Sequence, residues 1–277
     1  MIYFLIRHNC GTMNKIINYG KKVIETELIG IRKLYSSLDI NFEKTIKYLS
    51  KIKGKVIITG VGKSYAIANK ISSTMTSTGT TSQCIDPTSM AHGDMGIIQK
   101  NDAIILISNS GNSSELSNII KFAKKNKVSI IGISSNPNGR LMKSADFKII
   151  IPSSKEACAI GLAPTTSTTS TLVMGDAICV SLMRLKNFKI SDYKKIHPAG
   201  SLGVSMLQVK DIMYVGNKMP IVQEKAKMQD IILEMSKKSF GHVGVKDKNG
   251  KLLGIVSDGD LRRSFKKKFM DLNASQI

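Results

Sequence analysis

Ser108-Asn109-Ser110-Gly111-Asn112-Ser113-Ser114-Glu115 follows the apolar run Ala103 to Ile107 and precedes a pattern of helical period. A strand that ends in a polar turn and passes into a helix is the layout of an anion site. In an open parallel sheet, ligands bind beyond the carboxyl ends of strands, and the free amides at the next helix's start favour negative charge. The hydroxyls of Ser108, Ser110 and Ser113 can each donate to a phosphate oxygen, and Gly111 lets the backbone come close. The same residues also read as a plain helix start, because Asn112 with Glu115 three residues on makes a capping box.

Moving outward, similar units recur. Lys55-Val56-Ile57-Ile58-Thr59 is a β-branched run that ends in Gly60-Val61-Gly62-Lys63-Ser64, after which a helix is expected to about Thr76. The turn fails the Walker pattern, since the first glycine would fall at Ile57, and it fails the dinucleotide fingerprint at Tyr65. What remains is a tight turn that offers Ser64 and sets Lys63 at the mouth of the sheet. Further strand-like runs lie at Ser82 to Ile85, Val128 to Ile133 and Phe147 to Ile151. Strands alternating with helical patterns predict an α/β chain, a parallel sheet with helices on both faces. Two lead-in helices are expected at 14–36 and 41–53, and a long one over Leu162 to Leu185, with Leu172, Val173, Ala177, Ile178, Val180 and Leu182 as its buried stripe. Its hydroxyl-rich start, Thr165 to Thr171, can satisfy its own backbone, so a contact with substrate there is optional.

Beyond Gly200-Ser201-Leu202-Gly203 the character changes. A short helix near Asp211, Ile221-Val222, a helix from Ala226 to Lys238, His242 to Lys246, a turn at Asn249-Gly250, Leu252 to Val256 and Ser257-Asp258-Gly259-Asp260-Leu261-Arg262 follow in turn. This is an α+β unit small for independent stability, which predicts pairing with another copy.

Composition bounds the function. The 277 residues are 42% hydrophobic and 22% charged, so the chain is globular and long enough for one or two domains. There is no apolar run of about 18 residues, and hence no expected membrane span or membrane partner. Met1 to Ile6 followed by Arg7 has its charge on the wrong side of the apolar run for a signal peptide, and Met13 is a plausible start. Cys10, Cys84, Cys158 and Cys179 lack CxxC spacing, which suits reduced thiols in the cytoplasm. The formal charge of +21 would suit nucleic acid. However, the lysines are dispersed with few aromatics between them and no nucleic-acid motif beside them, so no nucleic-acid partner is expected. The basic field would still steer a phosphorylated substrate.

Gly60-Val61-Gly62-Lys63-Ser64, Ser77-Thr78-Gly79-Thr80, Ala91-His92-Gly93-Asp94-Met95-Gly96, Ser108-Asn109-Ser110-Gly111, Lys155-Glu156-Ala157-Cys158, Gly161-Leu162-Ala163-Pro164-Thr165 and His197-Pro198-Ala199-Gly200-Ser201-Leu202-Gly203, taken together, resemble the D-arabinose-5-phosphate isomerases. Those enzymes join a sugar isomerase (SIS) domain to a pair of CBS modules, and residues 254 to 263 are similar to the end of the first module. The resemblance implies an N-terminal extension over 1–13, a SIS domain of parallel-sheet three-layer sandwich form over 14–205, and one CBS module over 206–277. It implies interconversion of D-ribulose 5-phosphate and D-arabinose 5-phosphate through an enediolate, supplying the precursor of Kdo for lipopolysaccharide or capsule.

By the same resemblance the catalytic groups are Lys63, Glu115, Glu156 and His197. The roles expected are Glu115 or Glu156 as enediol base, His197 for ring opening and oxygen-proton transfer, and Lys63 as electrostatic partner. Within the fold His197 should meet Glu115, from the same chain or from a neighbouring one. Substrate contacts are expected from Ser64, Gly79, Thr80, Asp86, His92, Ser108, Ser110 and Ser113. The family has His before the proline that matches Pro87, where this chain has Asp86. A carboxylate also ligates zinc, so Asp86 is the candidate metal ligand, although the reaction requires no cofactor. The resemblance further implies a homo-oligomer, commonly a tetramer, and a nucleotide at the CBS module held by Ser257 and Asp260. Two other classes compete. A sugar-phosphate-sensing transcription factor would need a DNA-binding domain that the first 50 residues do not suggest, and a non-catalytic SIS/CBS regulator differs only in lacking activity.

Overall fold

The computed structural model describes residues 2–197, 208–265 and 269–277, and of 2–13 the backbone alone. The chain forms two compact units, 1–200 and 201–277. The expected boundary between 205 and 206 lies outside the described residues.

The first unit is built on β1 (Val56–Gly60), β2 (Ser82–Cys84), β3 (Ala103–Ile107), β4 (Ser129–Ser134) and β5 (Phe147–Ile150), in the order β2-β1-β3-β4-β5. All pairings are parallel. The strands are buried on both faces, which is why they read as continuous Val/Ile runs rather than alternating ones. Val56, Ile58, Ile105 and Ile133 turn to one face, where α2 (Ile40–Leu49), α3 (Lys63–Ser77) and α7 (Thr166–Leu185) bury Leu49, Ile71 and Ile178. Ile57, Ile104, Leu106 and Ile130 turn to the other, beneath α4 (Pro87–Ala91), α5 (Leu116–Lys125) and α6 (Arg140–Ser144). The result is a three-layer sandwich. α8 (Ile190–Ile196) follows α7, and α1 (Ile2–Ser36) packs its C-terminal half on α7. At that crossing a Cβ on Gly30 would come within 2.4 Å of the Thr166 side chain, so only glycine permits the approach.

Several local expectations shift. The first lead-in helix, expected from 14, begins at Ile2, and the second ends at Leu49 rather than 53. The long helix starts at Thr166, four residues late, because Pro164 and the Glu156 carboxylate terminate the loop before it. Val180 is 45% exposed and not part of the buried stripe, which runs instead through Ser170, Met174, Ile178, Cys179 and Leu182. The Asn112–Glu115 capping box does not form. α5 begins at Leu116 with Glu115 as its cap residue and no side-chain cap bond, because Asn112 is engaged by Arg140 instead.

Strand order reverses direction between β1 and β3, the topological switch point where crevices open in such sheets. A buried ion pair ties the amino ends of these two strands: Asp102 accepts from Lys55 Nζ at 2.7 Å, the Lys55 amide at 2.9 Å and the Gln99 amide at 2.8 Å. At the opposite ends, Gly60 pairs with Ile107 and Ile107 with Ile133. Three strands thus finish level, and their following turns lie side by side.

In the second unit, β6 (Ile221–Gln223), β7 (His242–Lys246) and β8 (Leu252–Ser257) form a sheet in that order, parallel then antiparallel. The β7–β8 hairpin closes at Asn249-Gly250, where Gly250 has φ +86°. α9 (Val209–Ile212), α10 (Met228–Lys238) and α11 (Asp258–Arg263) complete the unit, whose core is Val222, Met228, Ile231, Met235, Val243, Val245 and Val256.

Candidate functional site

The level ends of β1, β3 and β4 open a cleft of about 150 Å³ between their turns and the start of α7. Lys63 and Ser64 come from the β1–α3 turn, Asn109 from the β3–α5 turn, Ser134 and Ser135 from the end of β4, and Ser167, Thr168 and Thr171 from α7. Its floor is apolar, from Val61, Ile107 and Ile133. Gly62 has φ +59°, left-handed backbone that glycine takes without strain, and this turn launches α3 at Lys63.

The 108–115 turn is organised around its own hydroxyls. Ser108 is buried, with its Oγ 2.9 Å from Ser113 Oγ and accepting from the Gly111 amide at 3.1 Å. Ser110 is exposed and its Oγ accepts from the Asn112 amide at 3.2 Å, which leaves its proton to donate outward. The amides of Ser110, Ser113 and Ser114 donate to nothing among the described residues. Those of Ser113 and Ser114 lie just before a ten-residue helix, where the dipole favours an anion. Glu115 is exposed beside them, and the Ser114 hydroxyl donates to its Oε2 at 3.2 Å.

Glu156 has a different setting. Its Oε2 accepts from the Thr165 amide at 2.7 Å, the Thr165 hydroxyl at 3.0 Å and the Ser167 amide at 3.3 Å. Burial would raise this carboxyl, but the hydrogen bonds from Ser167 and Thr165 outweigh it and hold it below the ordinary 4.5. It therefore caps α7 and fixes the turn that carries Ser167 and Thr168 into the cleft. In the same loop the amides of Ala163, Ile160 and Leu162 turn toward the Cys158 thiol and hold it below its ordinary value.

Other expected residues lie elsewhere in the single chain. Thr80 is buried and accepts from Lys186 Nζ at 2.9 Å, while a Cβ on Gly79 would meet the Phe188 ring at 2.4 Å. Both stand at the far end of α3 from Lys63. Asp86 caps α4, with Oδ1 accepting from the Thr88 amide at 2.8 Å and the Ser89 amide at 3.4 Å. It lines a separate hollow with Tyr65, Cys84 and Asp94, and burial pushes the Cys84 thiol up to about 11. His92 is exposed just after α4. No cluster of three His, Cys, Asp or Glu side chains able to hold a metal occurs among the described residues. Asp86 engages the start of its helix through Oδ1 alone.

His197 stacks on Tyr193, ring centroids 3.8 Å apart, and its Nδ1 lies 3.1 Å from the Tyr193 carbonyl. That contact assigns the proton to Nδ1 and leaves Nε2 as the basic nitrogen. The ring lines a hollow with Asn69, Thr76, Ser82 and Cys84, along the C-terminal part of α3, and is absent from the lining of the Lys63 cleft. Glu115 is likewise absent from that lining. In the second unit, Ser257 and Asp260 form a capping box: the Ser257 hydroxyl donates to Asp260 Oδ2 at 2.6 Å, and Arg263 pairs with the other oxygen.

Sequence reading did not single out Asn109, Ser134 and Ser135. The available signal was that Ser134-Ser135-Asn136 ends an apolar strand just as Ser108-Asn109-Ser110 does.

The SIS domain family matches residues 48–181 and the CBS domain family residues 209–267. The arabinose 5-phosphate isomerase KdsD of Yersinia pestis is 40% identical over 259 residues, 93% of this chain and 79% of that protein. The corresponding Francisella tularensis protein is 42% identical over 258 residues, 92% and 79%. Among solved structures, an Escherichia coli CFT073 protein in complex with arabinose 5-phosphate superposes with a TM-score of 0.65 at 37% identity, over 67% of this chain and 98% of that one. A switch-point cleft edged by a serine-rich turn, and identity of this extent on both sides of it, lead to one conclusion: the chain belongs to the arabinose 5-phosphate isomerase family.

Proposed function

We infer that the chain interconverts D-ribulose 5-phosphate and D-arabinose 5-phosphate, an aldose–ketose isomerisation whose product would supply Kdo synthesis. The observation that carries the reading is the 108–115 turn at the switch point, with three free amides and an outward hydroxyl in a turn that leads into a helix. Such a turn suits the phosphate, and the Lys63 ammonium at the neighbouring turn suits an oxygen that develops negative charge.

The chemistry then needs a base for the carbon-bound proton. Glu156 accepts three hydrogen bonds on one oxygen and is held strongly as carboxylate, which makes it a poor proton acceptor. Glu115, with one weak partner, is the better base. We assign it removal of the proton next to the carbonyl and its return to the adjacent carbon. Glu156 is assigned the holding of the α7 turn. The Nε2 of His197 is assigned ring opening and transfer between oxygens, delivered to the cleft of a neighbouring copy. The exposed apolar residues Ile16, Tyr19, Ile24 and Leu28 on α1 support such an assembly, since patches of this kind mark interfaces. A tetramer with residues 14–205 as the catalytic domain and 206–277 as a nucleotide-sensing module is the arrangement proposed.

The test is direct. Purified protein is incubated with D-ribulose 5-phosphate and the pentose phosphates are resolved over time. Accumulation of D-arabinose 5-phosphate to a fixed ratio is expected, and its absence from folded protein would leave the non-catalytic regulator.

A further inference from the structure

The turn after β4 grips the turn after β3 through four consecutive carbonyls. Asn109 O accepts from the Ser135 amide at 3.2 Å and the Ser134 hydroxyl at 3.1 Å. Ser110 O accepts from Asn136 Nδ2 at 3.0 Å. Gly111 O accepts from the Leu141 amide at 2.9 Å, and Asn112 O from the Arg140 guanidinium at 2.7 Å. The side-chain oxygens are taken as well: Asn112 Oδ1 by the Arg140 amide at 3.0 Å and Asn109 Oδ1 by the Ser135 hydroxyl. Where the turns cross, a Cβ on Gly139 would stand 2.8 Å from Gly111 Cα, and Gly111 itself has φ +66°.

This pattern has an electrostatic consequence. A carbonyl oxygen carries partial negative charge and repels a phosphate, whereas an amide or hydroxyl hydrogen attracts it. With the carbonyls of residues 109 to 112 turned into the neighbouring turn, the amides of Ser110, Ser113 and Ser114 and the Ser110 hydroxyl are left as outward donors, with the exposed Glu115 carboxylate beside them. The gripping turn is itself fixed. Asn136 Oδ1 accepts from the Asn138 amide at 3.0 Å, which sets the amide orientation so that Nδ2 faces Ser110.

We propose that Asn136 and Arg140 are positioning residues that make the 108–115 turn anion-selective, by holding its carbonyls away from the phosphate while its amides and the Ser110 hydroxyl face it. The proposal rests on the reading of that turn as the phosphate site. Arg140 adds a positive charge on the far side of Asn112, but Asn136 is neutral, so its effect isolates positioning from charge.

Kinetics of Asn136→Ala, Arg140→Met, Arg140→Lys and Ser110→Ala test this, with inorganic phosphate as a competitive inhibitor. For Asn136→Ala and Arg140→Met, KM and the phosphate inhibition constant should rise together by about tenfold, the loss of one hydrogen bond to a charge-organising group. Their kcat should stay within about threefold of wild type. Arg140→Lys keeps a donor for Asn112 O and should recover most of the loss. Combining Asn136→Ala with Ser110→Ala should cost less than the product of the two, because both act through one turn. If Ser110→Ala weakens phosphate inhibition while Asn136→Ala and Arg140→Met do not, the positioning role is overturned and the phosphate site stands. If Ser110→Ala leaves phosphate inhibition unchanged, the phosphate site itself is wrong and this proposal falls with it. Should Asn136→Ala fail to fold, exposed Arg140 decides through a neutral donor: Arg140→Gln should keep phosphate inhibition well above that of Arg140→Met, and equal weakening in the two would overturn positioning in favour of charge alone.

Discussion

Replacing Glu156 by Gln separates a helix cap from a catalytic base. The amide keeps an oxygen that can accept from the Thr165 amide and hydroxyl, now at 2.7 and 3.0 Å, but removes the charge that strengthens both bonds. The Ser167 amide adds a third, longer bond at 3.3 Å, so the two Thr165 bonds set a minimum. Charge-assisted hydrogen bonds are about twice as strong as neutral ones, so two of them losing about 0.5–1 kcal/mol each gives a loss of about 1–2 kcal/mol. In a unit of 200 residues that corresponds to a fall in Tm of roughly 2–8 °C.

The pH dependence carries a sign. Glu156 has a folded-state pKa below its ordinary 4.5, so the carboxylate's contribution is fully present above that value and is lost as pH falls through the folded pKa. Thermal unfolding of wild type and Glu156→Gln at pH 7 and in steps below pH 4.5 should show the Tm difference shrink with acid. Steady-state kinetics on the same samples should show kcat reduced by less than about tenfold, against about 10²- to 10⁴-fold for Glu115→Gln. An unchanged Tm together with a 10³-fold loss in kcat for Glu156→Gln would refute the reasoning and return the role of base to Glu156.

Four further outcomes are expected. Ser110→Ala should raise KM more than it lowers kcat, because a phosphate contact remote from the reacting carbons binds ground and transition states alike; initial rates over a substrate range decide it. His197→Ala should lower kcat by about 10²- to 10⁴-fold with little change in KM, and mixing it with inactive Glu115→Gln subunits should restore activity if the histidine serves a neighbouring cleft. No recovery in verified mixed oligomers would exclude that sharing. Thr80→Val removes the acceptor of the half-buried Lys186; it should lower stability by about 1–3 kcal/mol and leave KM alone, as unfolding and kinetics together would reveal. Deleting 206–277 should leave isomerase activity, since no assigned catalytic group lies there; a folded but inactive product would place part of the site in the second unit.

Much of this molecule can be read without coordinates. Fully buried parallel strands must be apolar throughout, so β1, β3 and β4 stand out as Val/Ile runs, and each ends where glycine, serine or asparagine begins. The turns that bear Lys63, Ser64 and Ser108 to Glu115 are therefore visible as local patterns, and the ordered motifs suffice to name the family. Tertiary structure alone decided which of these residues share a cleft. Local periodicity records the partners of a residue a few positions away, whereas the groups that matter here meet across long stretches of chain: Asn136 with Ser110, Arg140 with Asn112, Lys186 with Thr80. Asn112 is the plainest case. By its spacing it caps a helix, yet Arg140, 28 residues away, takes both its oxygens and delays the helix to Leu116. Glu156 likewise reads as an isolated acid until Thr165 and Ser167 fold back on it, because a carboxylate takes its role from the donors around it, and those are set by the fold.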